Sequence, residues 1–186
     1  NILKELKLCG SNLPWVMSAT HLGHELHQLC NMNYDVKVKK AIYIDTSVDI
    51  RETFSFAHPQ QVLKAVHLYA GHHYGSMLWD LGSEMVGQYC KVWNTCVKLT
   101  YDVPRSTHTY LFENFLAANF VPVKTELLAR YVKFYRSLKL SKSPEVQHLA
   151  EVVSADVRSV TSKNLSLIQE ISGLNPLAVS PYKVRK

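Results

Sequence analysis

The sequence predicts a mainly α-helical fold that opens with a short β-hairpin element. Three observations lead there. The first thirty residues set a Gly10-Ser11-Asn12 cluster between the apolar runs Leu6-Lys7-Leu8 and Leu13-Pro14-Trp15-Val16, which is turn chemistry between strands. After Asn31-Met32-Asn33 the pattern turns helical, punctuated at Pro59, Gly71, Gly75, Gly82, Pro104, Pro122, Ser141 to Pro144 and Asn175-Pro176. With 47% hydrophobic and 19% charged residues over 186 positions, and only 7 Gly and 7 Pro, the chain has the composition of a folded protein with a core, not of a disordered or low-complexity one.

Taken in order, Leu6 to Leu8 is a strand, Cys9 to Asn12 a turn, Leu13 to Val16 a second strand, and His21 to Leu26 a third short strand. From Tyr34 to Phe56 the residues Val36, Val38, Ile42 and Ile44 alternate as in a strand, yet no Gly or Pro interrupts the run and it is too long for a strand. A helix is therefore predicted. Further helices are predicted from Pro59 to Tyr74, Ser83 to Tyr101, Thr107 to Ala118, Pro122 to Leu140, Pro144 to Thr161 and Leu165 to Ser172, the last stopped by Gly173. In the clearest of these, Leu127, Leu128, Tyr131, Val132, Phe134, Tyr135 and Leu138 fill one arc, while Glu126, Arg130, Lys133, Arg136 and Ser137 fall opposite. Pro122 suits its first turn. The organisation is thus 1–30 for the hairpin element, 31–103 and 104–174 for two helical stretches, and 175–186 for a loose basic tail.

Several function classes fall away. The longest stretch free of charge, Leu8 to His24, contains Gly10, Asn12, Pro14, His21 and Gly23, so it is no membrane span, which needs roughly 20 apolar residues. The opening Asn1-Ile2-Leu3-Lys4 is neither an initiator Met nor a signal sequence and reads as an internal piece of a longer product. Cys9, Cys30, Cys90 and Cys96 are too sparse for a disulfide framework, which points to a reducing, intracellular setting, nuclear or cytoplasmic.

Nothing completes an active site. His21, His24, His27 and Cys30 are zinc-ligand types within ten residues, but on a strand an offset of three sends consecutive members to opposite faces. There is no Gly-x-Ser-x-Gly, no His-Glu-x-x-His and no Gly-rich phosphate loop, and no small-molecule substrate is evident. The His72-His73 pair sits in an apolar stretch and reads as buried or half-buried. Asp35, Asp45 and Asp49 could in principle hold a metal, although Asp45 and Asp49 beside Arg51 and Glu52 look like a solvated face.

Basic residues are better placed. The net charge is +6, and Lys37, Lys39 and Lys40 cluster, as do Arg130, Lys133 and Arg136 with Glu126 as their single acidic neighbour. Such stripes suit a phosphate backbone, each neutralised phosphate releasing a counterion, and they equally suit a solvated helix face.

The order of the segments carries a resemblance. Leu6 to Val16, then His21-Leu22-Gly23-His24, then Asp35 to Ala41, resembles the region after the catalytic motif in reverse transcriptases of non-LTR (LINE-type) retrotransposons. Tyr74-Gly75-Ser76-Met77-Leu78-Trp79, Trp93 to Leu99 and Val103-Pro104-Arg105-Ser106-Thr107-His108 are similar to later segments of those proteins. The resemblance implies that His21, Leu22, Gly23 and His24 form a primer grip, that Lys37, Lys39 and Lys40 open a thumb over 31–103 and touch the template-primer backbone, and that 104–174 is a helical connection. It leaves open whether Arg130, Lys133 and Arg136 face nucleic acid or solvent. The implied partners are RNA template, RNA–DNA duplex, and the upstream palm and fingers of the same polypeptide. The family's paired aspartates are missing, for no two Asp are adjacent, so Mg2+ belongs to the parent polymerase and the chain itself is not catalytic. The reading from another class is a helical protein-interaction module without polymerase activity.

Overall fold

In the computed structural model, which describes residues 7–8, 11–12, 16–21, 24–27, 32–71, 73–111 and 121–173, two short hairpins precede the helices, six of which lie wholly among the described residues. In the first hairpin β1 (Lys7–Leu8) pairs antiparallel with β2 (Ser11–Asn12), Leu8 opposite Ser11. Ser11 and Asn12 are therefore strand residues and not the turn the sequence predicts, because a register that sets Leu8 against Ser11 leaves only two residues for the connection. The expected strand at Leu13 to Val16 lies largely outside the described residues. In the second hairpin β3 (Ser18–His21) pairs with β4 (His24–His27), His21 opposite His24. The single strand expected from His21 to Leu26 is thus the end of a hairpin, and Leu22 and Gly23 lie outside the described residues.

The helices are α1 (Asn33–Thr53), α2 (Pro59–Tyr69), α3 (Glu84–Thr100), α4 (Val123–Lys139), α5 (Pro144–Ala155) and α6 (Val160–Ser172), with a 3-10 turn at Ser76–Leu78. Their starts are chemically marked. Ser83, Ser143 and Ser159 each accept a hydrogen bond from a backbone N–H three residues on, Pro59 and Pro144 occupy first turns, and Gly173 ends α6 at φ 65°. The helix expected from Thr107 to Ala118 begins at residues 109–111, and its remainder lies outside the described residues, as do Cys30, His72 and the tail.

Two predicted boundaries move. α2 stops at Tyr69 and not Tyr74, because the chain must turn through Gly71, where a Cβ would strike the His67 carbonyl, and through Gly75 at φ +78°. The helix predicted over 144–161 breaks at Asp156, whose Oδ1 accepts from the Arg158 N–H (3.0 Å) while Ser159 caps the next helix. No break occurs before Leu165, since Asn164 lies inside α6 and spends its amide on another element.

α1 explains its own ambiguity. Val36, Tyr43, Ser47 and Ile50 point inward, yet Ile42, Ile44 and Val48 on the outer side remain 50%, 37% and 40% exposed, so apolar residues occupy both faces. Lys40 Nζ donates to Gln88 Oε1 (3.2 Å) and Arg51 Nη2 to the Leu99 carbonyl (3.3 Å), the same step along both helices. α1 and α3 therefore run parallel, with α2 returning between them and touching both. One apolar cluster joins both helical stretches, from Val36, Tyr43 and Val66 through Tyr89, Trp93 and Val97 to Leu127, Tyr131, Ala150 and Ile168. Each Val, Leu or Ile among them, fully buried, contributes about 1.5–3 kcal/mol.

Candidate nucleic-acid interface

Trp79, fully buried, ties three parts of the chain together. Its indole Nε1–H donates to Asp35 Oδ2 on α1 (2.7 Å), its carbonyl accepts from Asn164 Nδ2 on α6 (2.8 Å), and Asn164 Oδ1 accepts from the Leu81 N–H (2.9 Å). Its ring meets Tyr89 edge-on at 5.6 Å, and Tyr89 in turn meets Tyr43 and His73. Asp35 is accordingly no candidate metal ligand on a surface. It is a fully buried carboxylate committed to an indole N–H.

The second hairpin docks on this same point. His24 Nδ1 lies 3.6 Å from Asp35 Oδ2, and the imidazole stacks on Tyr74 with centroids 5.0 Å apart and planes at 29°. Gly75 makes the approach feasible, for a Cβ there would fall inside the His24 ring. Of the four expected grip residues, His24 therefore anchors the hairpin to the helices, while His21, its cross-strand partner, is exposed. Of the zinc-ligand types, His27 sits near the Tyr34 ring (6.4 Å) and Cys30 lies outside the described residues, among which no three His, Cys, Asp or Glu side chains are grouped to hold a metal.

The lysine cluster divides. Lys37 is exposed, and Lys40, one turn on, is half-buried against Gln88 of α3. Lys39, two positions from Lys37, points to the opposite flank of α1, half-buried and engaged in its own contact. Farther along, the outer side of α1 becomes acidic, with Asp45, Asp49 and Glu52 exposed. Its three lysines all lie in the first turns, at the end that meets the hairpin.

On α4, Glu126 is buried and not a solvated neighbour of the arginines. Arg130 donates to its Oε1 through Nε (3.1 Å) and Nη2 (2.9 Å). His73 Nδ1 and His67 Nε2 approach the two carboxylate oxygens at 3.9 and 4.0 Å. His73 is itself buried, and burial, outweighing the attraction of Glu126, lowers its pKa to about 4, so it is neutral. Lys133 is exposed and Arg136 half-buried with a contact of its own; both lie farther along α4, at about 1.5 Å per residue, from the end where Glu126 meets His73. Cys90 and Cys96 are free thiols, and burial pushes Cys90 up to about 11, so neither is a reactive thiolate at neutral pH. Among the described residues no helix is long and apolar enough to cross a membrane.

The second hairpin is held at the end of the parallel pair α1 and α3 that carries Lys37, Lys39 and Lys40, while Lys133 and Arg136 lie on α4. Sequence reasoning misses Asp35, Trp79, Gly75 and Asn164 as the residues that fix this end; a Trp with one N–H to satisfy was the available signal. No protein family, curated protein or solved structure matches this chain.

Proposed function

We propose that this chain is the nucleic-acid-gripping C-terminal portion of a non-LTR reverse transcriptase, positioning the template-primer duplex without catalysing polymerisation itself. One observation carries the reading: a hairpin with an exposed His21 is pinned through His24, Asp35 and Trp79 to the helix end that bears Lys37 and Lys40. A grip must be rigid relative to the helices that hold the duplex, because misplacement of about 1 Å at a primer end is enough to lose in-line geometry. Asp35, the carboxylate that His24 meets, is buried and engaged by the Trp79 indole, so it does not face a phosphate backbone. The ordered resemblance of the segments and the charge of +6 point the same way. The Mg2+ ions of such a polymerase would be held by upstream palm residues. Val16, Met17 and Leu26, 55%, 63% and 43% exposed along the hairpin, form an apolar strip for those upstream parts of the polypeptide.

The test is the salt dependence of binding to an RNA–DNA hybrid. The logarithm of affinity should fall with the logarithm of salt at a slope of several units, about −0.9 per neutralised phosphate on B-form DNA. Absence of binding at low salt contradicts the proposal. A second reading, a helical protein-interaction module, is favoured by a different surface: Leu140, Leu149, Val152 and Val157 are 75%, 60%, 52% and 77% exposed around α5. Salt-independent association with a protein, together with no hybrid binding, would select it.

A further inference from the structure

At the hairpin end two tyrosines beside the β4 histidines and a lysine are exposed, while Asp35, the carboxylate that His24 meets, is inside. Tyr74 lies against the His24 imidazole on one side and is still 58% exposed. Tyr34, 46% exposed, opens α1 beside His27 of the same strand and lies one helical turn before the exposed Lys37. Arg130 keeps 43% of its side chain in solvent after engaging Glu126, and His67 keeps 51%. Asp35 and Glu126 are both buried, and the exposed Glu84 accepts from Gln88. An apolar protein partner would desolvate the exposed Lys37, whereas a polyanion carrying flat π-faces matches both kinds of exposed group.

We infer that Tyr74, backed by His24, and Tyr34, beside His27, each offer a stacking face for unpaired bases of single-stranded nucleic acid, RNA or DNA, with Lys37 against its phosphates. Tyr74 is the stronger platform. Its ring is already held near-parallel to an imidazole, so little side-chain freedom is lost when a base covers the other face, and His24 is fixed in turn by Gly75 and Asp35. Stacking on tyrosine reads the π-face common to all bases, so the surface accepts a frayed duplex end or a template overhang irrespective of sequence. The inference rests on the nucleic-acid reading above and adds to it the residues that hold unpaired bases.

The full chain and its variants are titrated with short single strands carrying 2-aminopurine, with thermal melting run in parallel. Stacking predicts quenching of the 2-aminopurine and an affinity loss of about 5- to 100-fold in Tyr74→Ala, with Tyr74→Phe retaining both signals and melting unchanged in Tyr74→Phe and Tyr34→Ala. If Tyr74→Ala lowers the melting temperature, Tyr34→Ala alone decides, and it should lose affinity by a smaller factor. Binding by the parent chain with no change in either alanine variant overturns the stacking surface and leaves the gripping role standing, as does a Tyr74→Phe loss equal to that of Tyr74→Ala. No binding by the parent chain at low salt overturns both.

Discussion

Trp79 Nε1 and Asp35 Oδ2 share a hydrogen bond of 2.7 Å in which both residues are fully buried, and the same oxygen stands 3.6 Å from the imidazole that anchors the second hairpin. A carboxylate withdrawn from water is expensive unless its partners are in place, so this bond is a condition of the local structure. Replacing Asp35 by Ala should lower unfolding free energy by about 3 kcal/mol, since it strands a buried indole N–H and leaves a void. Asp35→Asn, which keeps an oxygen for the indole, should lose clearly less. Urea denaturation followed by tryptophan fluorescence measures both, and equal losses would mean that the hydrogen bond is not what Asp35 provides.

Gly75 and His24 should be energetically coupled. Gly75→Ala adds a Cβ inside the imidazole ring and places a side chain at φ +78°, where an L residue costs about 1–2 kcal/mol. In a His24→Ala background the clash is gone and only the backbone strain remains. A double-mutant cycle should therefore return a coupling of more than about 1 kcal/mol, and additive losses would show that His24 does not occupy the space above Gly75 in solution.

His73 gives the fold a pH dependence with a defined sign. It is neutral when folded, with a pKa lowered to about 4 by burial, and ordinary when unfolded. Between about 6.5 and 4 the unfolded chain thus binds the extra proton, so its contribution is complete above this window and is lost as pH falls through it, to a total of about 3 kcal/mol. A His73→Phe variant should show a shallower loss of stability over the same interval in chemical denaturation at several pH values. Identical profiles would contradict a buried neutral imidazole.

Much of this architecture is legible in the sequence, and the limits have physical causes. Pro59, Ser83, Pro144 and Gly173 mark helix ends because capping is local chemistry between residues a few positions apart. The long first helix survives its strand-like alternation because no breaker interrupts it. The gap expected between Thr161 and Leu165 is instead continuous helix, in which the Asn164 amide serves Trp79 and Leu81, a partnership across more than eighty residues that no local pattern contains. Glu126 misleads for the same reason: helical spacing puts it with the arginines, and only packing of the His67–His73 segment against α4 buries it. In the candidate interface the spacing of Lys37, Lys39 and Lys40 suggests one cluster, whereas helical geometry and Gln88 divide it.

That division is itself testable. Lys37→Ala should reduce the magnitude of the salt slope for hybrid binding by about one, while Lys39→Ala, on the other flank of α1, should leave it unchanged. The reverse pattern would place the nucleic acid on the far side of the helix.

The gripping role is most directly tested by cross-linking. A photoreactive residue is installed in place of His21 or, separately, in place of Lys133, and the chain is bound to an RNA template annealed to a recessed DNA primer. The account predicts cross-links from position 21 concentrated at the 3′-terminal nucleotides of the primer, and few from position 133. Cross-links spread evenly along the duplex from position 21, or arising from position 133 alone, would contradict it.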